Sequence, residues 1–251
     1  MSLSADLTGK RMLVTGASSD GFGAHFARLL ARSGAHVVVA ARRLEALEAL
    51  VAEIAADGGS ASAVRIDVAD LASVRDGIAA AGAIDTCVNN AGVAVTKRAL
   101  DQSEADYDFV MDTNLKGAWN VATEAARVMR DAGGGNIINT ASITGYQTSG
   151  GSAPYVMSKA GVLHMTRQLA MELARFNIRV NALAPGFFLT DINRQQLSGE
   201  PGERLRKRIA MRRYGELRDL DGPLLLLASD ASRFMTGSII TVDGGHLVQP
   251  L

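Results

Sequence analysis

The chain has 251 residues, a formal net charge of zero, 47% hydrophobic and 21% charged residues. That balance sustains a large core and excludes intrinsic disorder. The lack of a basic excess excludes a general nucleic-acid or membrane-surface binder. Cys87 is the only cysteine, so no intrachain disulfide can form, and within the apolar run 84–88 it reads as a small buried hydrophobe. The start, MSLSADLTGKR, has no apolar signal-peptide core, and the longest purely aliphatic run, 224–227, is far too short to span a bilayer. A cytoplasmic protein is therefore expected. No internal repeat or Pro-rich linker divides the chain, so residues 1–251 read as one domain, with no metal site.

In chain order, residues 11–15 (RMLVT) are an apolar strand, and 22–33 carry Phe26, Leu29 and Leu30 at helical spacing before Gly34. A β-rich run follows at 36–41. Leu44, Leu47, Leu50, Val51 and Ile54 mark an amphipathic helix over 44–56. A third strand is predicted at 63–68, a helix at 71–81 and a fourth strand at 84–89. One long helix spans 104–130. A fifth strand lies at 136–142, a helix at 155–176 ended by Asn177, a sixth strand at 178–184, a helix at 217–228 and a last strand at 238–242. Strands alternating with helices of ten or more residues imply βαβ units. The fold class is α/β: a doubly wound, seven-stranded parallel sheet with helices on both faces. Strands without period-2 alternation agree, because such a sheet is buried on both sides.

Ligands of such sheets sit at the carboxyl ends of the strands, where strand order reverses. The first turn there is Thr15-Gly16-Ala17-Ser18-Ser19-Asp20-Gly21-Phe22-Gly23. Its glycines let the backbone and the next helix's N-terminus approach a pyrophosphate. A second constellation lies in 142–159. Tyr155 and Lys159 are four apart, so on a helix a phenol and an ammonium share a face. A phenol alone ionises at about 10. A cation about 4 Å away favours the phenolate by about 4 kcal/mol at an effective dielectric near 20. That is roughly three pKa units, enough for proton exchange near neutral pH. Ser142 stands upstream, where a hydroxyl could hold a substrate oxygen against the phenol.

Taken together, these motifs resemble the classical short-chain dehydrogenase/reductase family over nearly the whole chain. The family's Thr-Gly-x-x-x-Gly-x-Gly turn resembles Thr15, Gly16, Gly21 and Gly23. Its Asn-Asn-Ala-Gly motif stands as Asn89-Asn90-Ala91-Gly92, its Pro-Gly motif as Pro185-Gly186 with Thr190, and its closing Asp-Gly-Gly as 243–245. The resemblance implies a Rossmann fold and an NAD(P)-dependent oxidoreductase that moves a hydride between a nicotinamide and a ketone or secondary alcohol. It places the catalytic residues at Asn114, Ser142, Tyr155 and Lys159. Tyr155 would transfer the proton, and Lys159 would lower its pKa and hold the nicotinamide ribose. Ser142 would bind the substrate oxygen, and Asn114 would keep a water in a proton relay. Cofactor contacts fall on Gly16, Ser18, Ser19, Gly21, Phe22, Gly23, Arg42, Arg43, Asp67, Val68, Asn89, Ala91, Gly92, Tyr155, Lys159, Pro185, Gly186 and Thr190. The resemblance also implies a homotetramer through the helices at 104–130 and 155–176.

One departure stands out. The turn holds four residues, Ala17 to Asp20, where the family has three. The extra residue must bulge out or reshape the phosphate cradle. NAD-preferring members have an acid at the end of the second strand. Here that position is Ala41, followed by Arg42 and Arg43, so NADP is expected over NAD, with Asp20 as the opposing feature. The expected substrate is a small carbonyl or alcohol compound. Residues 186–213 fall where the family keeps its substrate lid. Phe187, Phe188, Leu189, Ile192 and Leu197 favour an apolar ligand or pack onto the domain, and Val93, Ala94, Ile143 and Tyr146 are expected to line the same pocket. The basic run Arg204, Arg206, Lys207, Arg208, Arg212 and Arg213 could attract an acyl carrier thioester or form a solvated face. Two other classes remain. A non-catalytic dinucleotide sensor would not need the quartet. An epimerase or lyase of the extended branch usually has a longer chain.

Overall fold

The computed structural model describes residues 4–189, 197 and 199–248. Seven parallel strands lie in the order β3-β2-β1-β4-β5-β6-β7. They are β1 (Arg11–Thr15), β2 (His36–Ala41), β3 (Ser60–Arg65), β4 (Thr86–Asn89), β5 (Gly135–Thr140), β6 (Ile178–Pro185) and β7 (Ile239–Val242). Helices α1 (Phe22–Arg32), α2 (Leu44–Ala56) and α8 (Asp221–Ala228) cover one face. Helices α3 (Leu71–Ala81), α5 (Gly117–Asp131) and α6 (Ala153–Leu173) cover the other. Successive strand residues point to opposite cores: Leu13 and Val38 join one, Met12, Val14, Val37 and Val39 the other. Both sets are apolar because both faces are covered.

Three elements differ from the sequence expectation. β3 begins three residues earlier than expected, with Ser60 paired to His36 and Ser62 to Val38. It is the edge strand, so small polar residues suffice there, and the His36 ring hydrogen-bonds the Ser60 and Ser62 hydroxyls. Asp67 and Val68 therefore lie beyond the strand, in the loop over its carboxyl end. The helix expected over 104–130 is interrupted. After α4 (Glu104–Met111), a π turn at Asp112–Lys116 precedes α5. Inside the lid stretch a short helix, α7 (Gly199–Arg206), forms. Its sequence, GEPGERLR, buries only Gly202 and shows no apolar periodicity to read.

β1 has β2 on one side and β4 on the other, so strand order reverses between β1 and β4. Their exits are bolted together. The Thr15 hydroxyl accepts from the Asn90 and Ala91 amides at 3.0 and 3.1 Å, and the Asn90 side chain donates to the Thr15 carbonyl at 3.1 Å. Gly16 has φ +71°, and a Cβ there would lie 2.8 Å from Ala91 Cα. A Cβ on Gly23 would meet the Gly16 carbonyl oxygen at 2.3 Å. Only two glycines allow α1 to start this close to the β4 exit. Gly23→Ala must push backbone apart, so it is expected to lower stability by about 1–3 kcal/mol. Thermal unfolding measures this, and an unchanged melting temperature would show that the approach is looser than described.

Candidate active site

The crevice at the reversal opens into a cavity of about 650 Å³. At one end stand Ser18, Ser19, Gly21, Phe22, Arg42 and Arg43. Asp67 and Val68 lie on its side, and Gly92, Val93, Tyr155 and Lys159 close the other end. The volume is within the range of cofactor and small-molecule sites. A Cβ on Gly21 would meet nothing within 4 Å, so the turn stays open toward the cavity. The Thr140 hydroxyl, also in the wall, is buried with no partner among the described residues. A glycine-lined end next to two arginines and a polar, buried far end fit an NAD(P) molecule lying between them.

The extra residue of the turn bulges outward. Asp20 is absent from the cavity wall, and its carboxylate accepts from Arg28 at 3.2 Å. Arg43 reaches in the opposite sense and donates to the Ser18 carbonyl, with its Nε 3.4 Å from the Ser18 hydroxyl. Arg42 also faces the cavity.

Tyr155 and Lys159 leave the first turns of α6, where Pro154 occupies an early position that needs no amide donor. The Lys159 ammonium is buried, donates to the Thr140 carbonyl at 2.8 Å, and lies 5.7 Å from the centre of the Tyr155 ring. Burial pulls its pKa down to about 8. Burial also raises the Tyr155 phenol, and a hydrogen bond with Ser142 offsets this only in part. Burial thus opposes the depression that the spacing of Tyr155 and Lys159 predicts. The ammonium is held by a backbone carbonyl and over the ring, and burial disfavours the charged form of each group. Ser142 is itself fixed, since its oxygen accepts from the Thr144 amide and hydroxyl at 3.2 and 3.0 Å.

Asn114 sits in the π turn and is fully buried. Its Oδ1 accepts from the Val93 amide at 2.7 Å, and its Nδ2 donates to the Val93 carbonyl at 2.8 Å and to Ser158 Oγ at 3.1 Å. Ser158 in turn donates to the Tyr155 carbonyl at 2.7 Å. Both Nδ2 protons are committed to protein atoms. The side chain pins the β4 exit loop to the turn that carries Tyr155.

Other expected contacts are placed elsewhere. Asn89 is buried beneath the cavity, donating to the Ala118 carbonyl and to Asn139 Oδ1 at 2.8 and 3.1 Å. Pro185 and Gly186 close the β6 end but do not form the cavity wall. There the Gly186 amide donates to the Val242 carbonyl at 2.9 Å. Ile143 is a core residue and Tyr146 is exposed. Thr190 and Ile192 lie outside the described residues. The wall also includes Ile66, Asn90, Thr113 and Thr140, which sequence reasoning missed. Thr140 ends β5, and the rule that ligands sit at strand carboxyl ends points to it. In the basic run, Arg204 pairs with Glu200, Arg206 with Glu203 and Arg213 with Asp219, so much of its charge is neutralised locally. Among the described residues there is no cluster able to hold a metal and no helix long and apolar enough to cross a membrane.

Residues 16–246 match the family model described as enoyl-(acyl carrier protein) reductase. The chain is 42% identical to an L-rhamnose 1-dehydrogenase (NAD(P)(+)) of Azotobacter vinelandii, covering 96% of this chain and 98% of that protein. A short-chain type dehydrogenase/reductase of Mycobacterium marinum is 40% identical, with a TM-score of 0.91 over 97% of this chain and 98% of that one. The chain belongs to the short-chain dehydrogenase/reductase family. It is an NAD(P)-dependent oxidoreductase of alcohols and ketones. A gluconate 5-dehydrogenase of Burkholderia cenocepacia, solved with NADP and tartrate, superposes with a TM-score of 0.93 at 36% identity, covering 97% of both chains.

Proposed function

We propose that this short-chain dehydrogenase/reductase interconverts a secondary alcohol and a ketone with Tyr155 as its acid–base. The observation that carries this is the meeting of Tyr155, Lys159 and Ser142 at the closed end of a cofactor-sized cavity. The bound nicotinamide supplies or accepts the hydride. Ser142 holds the substrate oxygen, and Tyr155 gives its proton to that oxygen in reduction or takes it in oxidation. Lys159 supports the ribose side of the cofactor. Burial raises the phenol, which favours the protonated form that reduction needs. Oxidation needs the phenolate, so its rate is expected to rise with pH, while reduction falls at high pH. Tyr155→Phe is expected to lose about 10² to 10⁴ in turnover with cofactor affinity nearly intact. Lys159→Ala weakens cofactor binding as well. Retention of a tenth or more of wild-type turnover by Tyr155→Phe, with chemistry rate-limiting, would remove the phenol from this role.

For the substrate, we favour a sugar or sugar acid, held under a lid at 186–213, over an acyl carrier thioester. Two of the relatives are named for rhamnose and gluconate, although a 39% identical relative of Staphylococcus aureus is a 3-oxoacyl-[acyl-carrier-protein] reductase, and the arginines that could draw an acidic carrier are largely paired with acids on their own segment. We place the enzyme in the cytoplasm with its cofactor pool, and as a homotetramer built on the outer faces of α5 and α6. Trp119, Met157 and Met171 are 49%, 48% and 69% exposed there, large apolar groups suited to a partner surface. Light scattering at micromolar concentration is expected to give a tetramer mass, and a monomer would refute the assembly.

We propose NADP over NAD as the cofactor. Ala41 presents no acid, while Arg42 and Arg43 face the cavity and can bind a 2′-phosphate through charge-assisted hydrogen bonds. Arg42→Ala and Arg43→Ala are each expected to raise the Michaelis constant for NADPH far more than for NADH, and Ala41→Asp to favour NADH. A wild type with the higher specificity constant for NADH would overturn this reading.

A further inference from the structure

The inserted acid in the glycine turn poses a physical problem. Ser19 and Gly21, its two neighbours, both form the wall of the cofactor cavity, at the end where Arg42 and Arg43 stand. A carboxylate between them is within a side chain's length of the same space. A negative charge there would oppose a 2′-phosphate and offset the arginines. The fold resolves this by pulling Asp20 the other way. Arg28, on α1 two turns further on, donates to Asp20 Oδ1 through NH1 at 3.2 Å. The same guanidinium grips Glu53 of α2 with Nε and NH2 at 2.7 and 2.9 Å. A bidentate pair of this kind fixes the plane of the guanidinium and so the direction in which its third nitrogen points. Arg28 is only 25% exposed, whereas Asp20 is 65% exposed and has no other partner among the described residues. The Glu53 contact raises the Arg28 pKa and depresses that of Glu53, so both charges persist across the working pH range.

We propose that Arg28 is a specificity-determining residue, holding the Asp20 carboxylate outside the cavity so that an enlarged, acid-bearing glycine turn still accepts the 2′-phosphate of NADP(H). The inference rests on the NADP(H) reading above. The pair itself adds little to stability, as exposed ion pairs do. Its effect is to choose where one negative charge stands. Releasing it lets the carboxylate turn toward a dianionic phosphate, and a charge about 8 Å from such a group in a water-like dielectric weakens binding roughly fivefold. Both cofactors carry the pyrophosphate and feel the carboxylate's repulsion there alike, so the ratio of their dissociation constants reads the 2′-phosphate part alone. Because the effect is Coulombic, salt removes it, since the screening length falls to about 3 Å at 1 M.

The test is direct titration of NADPH and NADH by nicotinamide fluorescence, at low salt and at 1 M, on the wild type, Arg28→Met, Asp20→Asn and the double variant. Arg28→Met is expected to raise the ratio of NADPH to NADH dissociation constants about fivefold at low salt, and much less at 1 M. Asp20→Asn alone leaves the ratio near the wild-type value, and the double variant returns to it. Arg28→Gln, which keeps a neutral donor toward Glu53, gives the same shift should Arg28→Met fail to fold. An unchanged ratio in both Arg28 variants overturns the proposal, as does a double variant that stays where Arg28→Met stands. A wild type that binds NADH more tightly defeats the NADP(H) reading by itself. The change in ratio on substitution of Arg28 is read independently of that ranking.

Discussion

Everything at this site depends on how closely the exits of β1 and β4 can approach. Parallel strands splay their loops to opposite faces only where the order reverses, and the space between the loops becomes a binding site only if its floor is rigid. Here the floor is a single hydroxyl, Thr15 Oγ1, accepting two consecutive amides of the β4 exit, with Gly16 pressed against Ala91. Two otherwise orphaned amides are satisfied without secondary structure. The same contact sets where α1 begins, because Gly23 lies on the Gly16 carbonyl. The N-terminus of α1, the serines of the turn and the backbone of 91–93 are thus positioned by one cluster of contacts around Thr15 and Gly16.

A second constraint carries that rigidity across to the chemistry. Loop 90–98 has no strand partner to hold it, so its backbone needs side chains to satisfy it. Asn114 does this by binding both the amide and the carbonyl of Val93, as a neighbouring strand would. It does so from a π turn in an otherwise continuous helical path, and such turns recur at functional sites. The chain through Ser158 to the Tyr155 carbonyl then ties three separate elements into one network. Every donor of the Asn114 amide is used, and a buried polar network is stable only on that condition.

Much of this was legible in the sequence, for reasons that can be named. Where both faces of the sheet are covered the strands are continuous apolar runs, so six of the seven lie close to where those runs placed them. β3 was displaced because an edge strand made of Ser60, Ala61 and Ser62 has no apolar signature to detect. The π turn was invisible, since residues 104–130 keep helical composition throughout and the break is made by a tertiary contact from Asn114. The glycine turn, Tyr155 and Lys159 were readable from spacing. The direction of Asp20 was not, because it is decided by Arg28 and Glu53, which approach only once α1 and α2 have packed. α7 and the paired arginines of the lid were likewise beyond reach, as no periodicity marks them.

The electrostatics of Tyr155 and Lys159 show where a two-body argument from spacing fails. Four residues on a helix do bring phenol and ammonium to the same space, and a cation at short range would favour the phenolate. The fold instead buries Lys159, sets Tyr155 part-buried in the cavity wall, and gives the ammonium a backbone carbonyl to bind. Burial disfavours either charge taken alone, so the phenol rises and the ammonium falls toward about 8. The two shifts carry phenol and ammonium apart in proton affinity, from nearly equal values in water, and leave Tyr155 the neutral partner beside a cation. Moving a proton from Tyr155 to a substrate oxygen therefore leaves a phenolate in a site that holds a cation nearby and a Ser142 hydrogen bond to receive the charge. The site is arranged for the charge that develops during reaction, which is the condition for electrostatic catalysis. A resting phenolate would have discarded that advantage by placing the charge there in advance.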